Sequence, residues 1–264
     1  MKTLKVFGSL IKDAVLEVTH GSKVYHIWMA VLTFIMLLGV YNYSIQLEQG
    51  LSATGMTDRV SWGLYISNFT FLVGVAAAAV MLVLPAYVLK NIDFKQAVLI
   101  GEGLAVSALL MCLAFVVADM GGPARLWHMI PGIGVFNFPN SMLAWDVIVL
   151  NGYLFINITI PLYILIMRYQ GKTPNPKIYI PGVFLSVFWA VGIHMVTAFL
   201  YQGLQARPFW NNALLGPRFL ASAFAAGDAF ITALLFLKIL ATLKKQRNLH
   251  YSDLFRVSGQ EGLL

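Results

Sequence analysis

Six apolar stretches, at about residues 25–46, 62–89, 96–118, 142–167, 179–202 and 217–243, recur along this chain. Each exceeds the roughly 20 apolar residues needed to cross a hydrocarbon core. Backbone that crosses lipid must satisfy its own polar groups, so each stretch is read as an α-helix. Only 11% of the 264 residues are charged and mean hydropathy is +0.77, against about 25% charged in a soluble domain. The sequence predicts an all-α, polytopic membrane helix bundle with about six transmembrane helices.

Charge then orients the bundle. Of the 18 Lys and Arg residues, all but Arg59, Arg125, Arg207 and Arg218 fall on one side of these spans. The positive-inside rule places that side, with both termini, in the cytoplasm. The net charge of +7 is thus an orientation signal whose partners are anionic membrane lipids, and nucleic acid is excluded. A multi-pass protein of a bacterial or archaeal inner (cytoplasmic) membrane is expected. Residues 1–23 begin MKTLKVFGSLIKDAVLEV, too polar for a signal-peptide core. Leu4, Phe7, Leu10, Ile11 and Val15 recur there at helical spacing with lysines between, which predicts an amphipathic helix on the cytoplasmic surface. Residues 24–244 form the bundle and 245–264 a cytoplasmic tail.

Between the spans, the cytoplasmic connections are short and the outer ones long. Residues 120–141, MGGPARLWHMIPGIGVFNFPNS, are too irregular to span and too apolar to float free, so they are expected along the outer interface, where Trp is favoured. Residues 202–218 have similar chemistry. GVAAAAV (74–80) and ASAFAAGDA (221–229) supply small residues that let membrane helices approach closely. Pro85 and Pro161 are expected to bend the second and fourth spans. Cys112 is the single cysteine. This chain by itself therefore makes no disulfide, thiolate zinc site or iron–sulfur cluster.

Ionisable side chains at bilayer depth cost a few kcal/mol and point to function. Glu102, Asp146, His194 and Asp228 lie inside spans, and Asp119 ends the third. Asp146, Tyr153 and Asn157 share one helical face, as do His194, Thr197 and Tyr201. By depth, Asp119, Asp146, His194 and Tyr201 meet near the outer leaflet, which suits a small polar pocket opening outward. Glu102 and Asp228 would continue a polar route inward. Structural readings stand beside these. Asp146 caps its helix or pairs with Arg125, Asp119 caps a loop, and His194 bonds a neighbouring helix. Glu102 and Asp228 glue helices together, and Tyr65, Asn68 and Tyr153 pack.

A bis-histidine haem needs two histidines at similar depth. Only His194 lies well inside a span, so haem is disfavoured. A quinone pocket suits the residues better: Asp, His and Tyr can exchange protons with quinone oxygens, and the bundle offers apolar walls.

The stretches SWGLYISNFTFLVGVAAAAV (61–80), GEGLAVSAL (101–109), DMGGPARLWHMIPGIGVFNFPNSMLAWDVIVLNGYL (119–154) and HMVTAFLYQGLQARPFWNNALLGPRFLASAFAAGDA (194–229) resemble the NrfD/PsrC-like family. These are membrane subunits of polysulfide-reductase-type redox complexes, and the likeness is greatest to the branch in sulfate-respiration electron-transfer complexes. The resemblance implies a membrane subunit for anaerobic respiration that carries no haem or iron–sulfur cluster and uses a quinone, menaquinone foremost, as substrate. It also implies an iron–sulfur (ferredoxin-like) partner on the outer face, with or without a multihaem cytochrome c. Asp119 and Asp146 match the family's proton-handling positions. His194, Tyr153, Asn68, Tyr65 and Arg125 become quinone-binding candidates, and Glu102 and Asp228 a proton pathway. The family carries arginine where this chain has Gly122, and Arg125 is the substitute. Relatives of this kind continue with further spans after a segment like this tail, so the chain is read either as a natural short form or as one that lacks a second bundle. The expected function is that of an oxidoreductase subunit rather than an enzyme alone. Two alternatives remain: a proton-coupled secondary transporter, for which no internal repeat is seen, and a structural anchor for a redox partner.

Overall fold

The computed structural model describes residues 2–57, 59–83 and 92–258. They form α1 (Lys2–Thr19), α2 (Lys23–Gln49), α3 (Leu64–Val83), α4 (Ile92–Asp119), α5 (Met142–Tyr169), α6 (Pro176–Gln202) and α7 (Leu215–Ser258). Short 3₁₀ segments cover Leu51–Thr54 and Pro123–Met129. Among the described residues five stretches are long and apolar enough to cross a membrane: Lys23–Gln49, Ile100–Asp119, Met142–Tyr169, Pro176–Gln202 and Leu215–Leu237. In α3 the corresponding apolar stretch, Leu64–Ala78, is shorter. The chain is an all-α polytopic membrane bundle, as its hydropathy predicts. Pro85 lies outside the described residues.

Caps set the helix ends. Ser141 precedes α5, and its hydroxyl accepts from the Ala144 N–H at 3.4 Å. At the other end Gly171 adopts φ +69°. Its N–H donates to the Arg168 carbonyl and that of Lys172 to the Met167 carbonyl, a glycine-terminated stop. Four residues on, Asn175 caps α6 by accepting from the Lys177 N–H, with Pro176 at the first helical position. QGKTPNPK is therefore a tight turn between antiparallel helices. Helix α7 is 44 residues long, about 66 Å at 1.5 Å per residue. That is about twice a hydrocarbon core, and the helix passes residues 244 and 245 without a break.

Helices α3 to α7 close into a ring, with α3 packed on α4, α6 and α7. Without a hydrophobic drive between helices, this packing depends on close contact. A Cβ built on Gly227 would lie 2.1 Å from the Ala78 Cβ, and one on Gly74 would lie 3.3 Å from the Ala223 Cα. The two small-residue stretches face each other across α3 and α7, a pairing that the sequence alone did not specify. Buried Phe69, Val73, Leu109, Leu150, Tyr153 and Ile193 fill the ring.

Helix α1 meets the lower end of α5, where the Tyr169 hydroxyl donates to the Asp13 carboxylate at 2.6 Å. Helix α2 stands outside the ring with its apolar flanks exposed, the surface that lipid covers. Its one buried residue is Gln46. The Gln46 amide donates to the Ala118 carbonyl at 2.6 Å and its oxygen accepts from the Tyr65 hydroxyl at 2.8 Å. One glutamine thus pins the end of α2 to both α3 and α4. Replacing Gln46 with Ala leaves two half-buried groups without this partner, at about 1 kcal/mol each. The expected result is a lower thermal midpoint in detergent and a spin label on α2 that moves further from α4.

Candidate functional site

A cavity of about 410 Å³ lies between α3, α6 and α7 at the loop-rich end of the ring, the end read from charge as the outer one. Helix α3 contributes Ser67, Thr70, Val73 and Gly74; α6 contributes His194, Thr197 and Tyr201; α7 contributes Arg218, Phe219 and Ser222. Phe209 and Trp210 of the preceding loop complete it. Its size falls within the range of about 300–1,000 Å³ for small-molecule pockets.

The helical repeat builds the wall on α6. His194, Thr197 and Tyr201 are spaced i, i+3, i+7 and so present one face; all three are buried. The His194 Nδ1 sits 2.8 Å from the Ala190 carbonyl. A carbonyl only accepts, so Nδ1 carries a proton and the neutral ring has its lone pair on Nε2. Nε2 is buried and has no hydrogen-bond partner. Above it, the Tyr201 hydroxyl meets the Thr70 hydroxyl at 2.6 Å. Trp62, Trp210 and Phe219 surround the Tyr201 ring edge-on, with centroids at 4.9, 5.1 and 5.3 Å. At the mouth the exposed Arg218 guanidinium lies over the Phe209 ring, 4.9 Å from its centroid.

Two carboxylates occupy the same end of the bundle outside this lining. Asp146 is 1% exposed, and neither of its oxygens has a partner. It neither caps α5, since Ser141 does so, nor bonds Arg125, which is exposed on the Pro123–Met129 turn. It faces the ring interior within electrostatic reach of Cys112. Asp119, at the end of α4, is half-buried with Oδ1 unpartnered, and it lies within electrostatic reach of Tyr201. Neither Asp119 nor Asp146 lines the cavity.

The other sequence candidates spread out. Tyr65 is engaged with Gln46, and the Asn68 amide donates to the Leu64 carbonyl. The fully buried Tyr153 hydroxyl is directed at the Ala76 carbonyl, 3.4 Å away. Glu102 is 4% exposed with Oε2 unpartnered, within electrostatic reach of Tyr153 and Arg168. Asp228 is half-buried on α7. Of the sequence candidates, His194 lines the cavity together with Thr197 and Tyr201 of its helical face. Thr70, Trp210, Arg218 and Ser222 were not singled out as site residues. Arg218 carried a signal, a charge on the sparsely charged outer side; the others read as ordinary span and interface residues.

Comparison with known proteins agrees with this architecture. A selenate reductase subunit from Mesobacillus selenatarsenatis is 27% identical over 239 residues, covering 78% of this chain and 55% of that protein. The Hdr-like menaquinol oxidoreductase integral membrane subunit of Archaeoglobus fulgidus is 24% identical over 220 residues, covering 83% and 52%. The chain spans about half the length of these relatives. The family model of the polysulphide reductase NrfD matches residues 52–264, which contain α3 to α7 and every residue of the cavity. The chain belongs to the NrfD family.

Proposed function

We propose that this chain is a quinone-interacting integral membrane subunit of a respiratory oxidoreductase, with the quinone head group in the α3–α6–α7 cavity. The observation that carries this reading is His194. A buried imidazole with a free Nε2, in the wall of an apolar cavity near one membrane surface, suits a ligand that arrives through lipid and exchanges a proton. The name of the Archaeoglobus relative, a menaquinol oxidoreductase subunit, supports menaquinol as the substrate.

The residues divide the work. His194 takes a proton from the head-group hydroxyl, and Thr70 and Tyr201 hold the ring beside it. Asp119, at the loop end of α4, passes a proton to the outer surface. Asp146 is a second proton-handling group in the ring interior, and Glu102, with Asp228, extends the polar route inward. Oxidation of a quinol releases two electrons with two protons. The electrons require an acceptor that this chain does not supply, so an iron–sulfur subunit at the outer face is proposed as partner. The exposed apolar loop side chains Ile133, Val135 and Phe138 offer that partner a surface.

Fluorescence quenching by a menaquinone analogue tests the reading, since Trp210 and Trp62 stand at the cavity. Saturable quenching is expected in the wild type. In His194→Ala it weakens about tenfold or more, the equivalent of about 1.4 kcal/mol. Equal affinity in both proteins would remove His194 from the site.

A further inference from the structure

The polar groups of the cavity wall have an uneven hydrogen-bond inventory. Each hydroxyl has one proton to give, and nearly all of these are spent inside the protein. Ser67 donates to the Gly63 carbonyl at 3.2 Å, Thr70 to that of Ile66 at 2.9 Å, Thr197 to that of Ile193 at 2.7 Å and Ser222 to that of Phe219 at 3.0 Å. These are bonds from side chain to backbone within one helix, the usual recourse of Ser and Thr in an apolar surround. Because the Thr70 proton goes to Ile66, its 2.6 Å contact with Tyr201 has Tyr201 as donor. The His194 Nδ1 proton goes to Ala190. The wall therefore offers lone pairs: His194 Nε2, the Tyr201 oxygen and the four hydroxyl oxygens. Uncommitted donors stand at the mouth, on Arg218 and Trp210.

We propose that this cavity selects the reduced, hydrogen-bond-donating form of its ligand, a hydroquinone, over the oxidised quinone. The inference rests on the quinone reading above and adds the redox state that binds. A hydroquinone brings two O–H donors to a wall of acceptors. A quinone brings two carbonyls that only accept, so it faces lone pairs inside the cavity and finds donors at the mouth alone. To serve a quinone, a wall hydroxyl must turn away from its helix carbonyl and give up that bond, and His194 Nε2 stays an acceptor while the Nδ1 proton is held by the Ala190 carbonyl. Sites whose polar groups match one form reject the form that lacks the complementary group.

The test compares menadiol, kept reduced with dithionite, with menadione as ligands for the full chain in lipid nanodiscs, by equilibrium dialysis. Menadiol is expected to bind at least about tenfold more tightly. His194→Gln, which puts an amide N–H where the wall had an acceptor, is expected to narrow or reverse that ratio. Tyr201→Phe, a second variant that removes an acceptor and adds no donor, is expected to weaken menadiol and leave menadione unchanged. Equal binding of the two forms by wild type, or tighter menadione, overturns the redox selectivity while the quinone reading stands. Saturable binding of neither form overturns the quinone reading, and the selectivity with it.

Discussion

Gly227→Ala is expected to destabilise the bundle and empty the cavity, although it adds only one methyl group. Alanine is the better helix former by about 1 kcal/mol, so an unobstructed glycine would give a gain. At Gly227 the added carbon would stand 2.1 Å from the Ala78 Cβ and 3.1 Å from the Gly74 carbonyl oxygen. Neither neighbour is a flexible side-chain tip, so α7 must move away from α3. Forced methylenes in a packed interior cost about 1–3 kcal/mol, which exceeds the propensity gain. The movement also displaces Phe219 and Ser222 from the cavity wall. Gly103→Ala is the control: a Cβ there meets nothing within 4 Å, so stability should hold or rise. Thermal midpoints in one detergent, with analogue binding measured beside them, check both. Equal stability of the two variants would contradict the close α3–α7 contact.

Asp146→Asn is expected to raise stability and abolish quinol-dependent turnover in the assembled complex. A carboxyl with no partner for either oxygen opposes folding whenever it ionises, by a few kcal/mol at bilayer depth. Asparagine keeps the shape and removes the charge but leaves an amide in the same unpartnered site, so the expected gain is smaller than the few kcal/mol of a charge at bilayer depth. A structural carboxylate would behave in the opposite way, with stability and turnover falling together. Opposed signs in one variant would mark Asp146 as a group kept for proton handling at the expense of stability. Normal turnover with an intact complex would remove the role.

The fold was legible because lipid leaves the backbone few choices. Apolar runs predicted the helices, and their ends followed from local chemistry such as Ser141, Gly171 and Asn175-Pro176. Small residues at 74–80 and 221–229 marked two surfaces of close approach, and the structure shows that they meet each other. The helical repeat also grouped His194, Thr197 and Tyr201 correctly on one face. Depth alone was a poorer guide to neighbours: it grouped Asp146 with His194, yet His194 lines the cavity and Asp146 does not. Which face of each helix turns inward depends on how five helices close, and spacing within one helix does not encode that. Gln46 escaped notice for a related reason, because its two partners lie on different helices, Tyr65 on α3 and the Ala118 carbonyl on α4.

Photolabelling with an azidoquinone, followed by mapping of the modified peptides, tests the location of the quinone most directly. Adducts are expected within 67–74, 194–201 and 209–226, suppressed by excess menaquinone analogue and reduced in His194→Ala. Competed adducts confined to the segment around Asp146, or none that the analogue suppresses, would contradict that location.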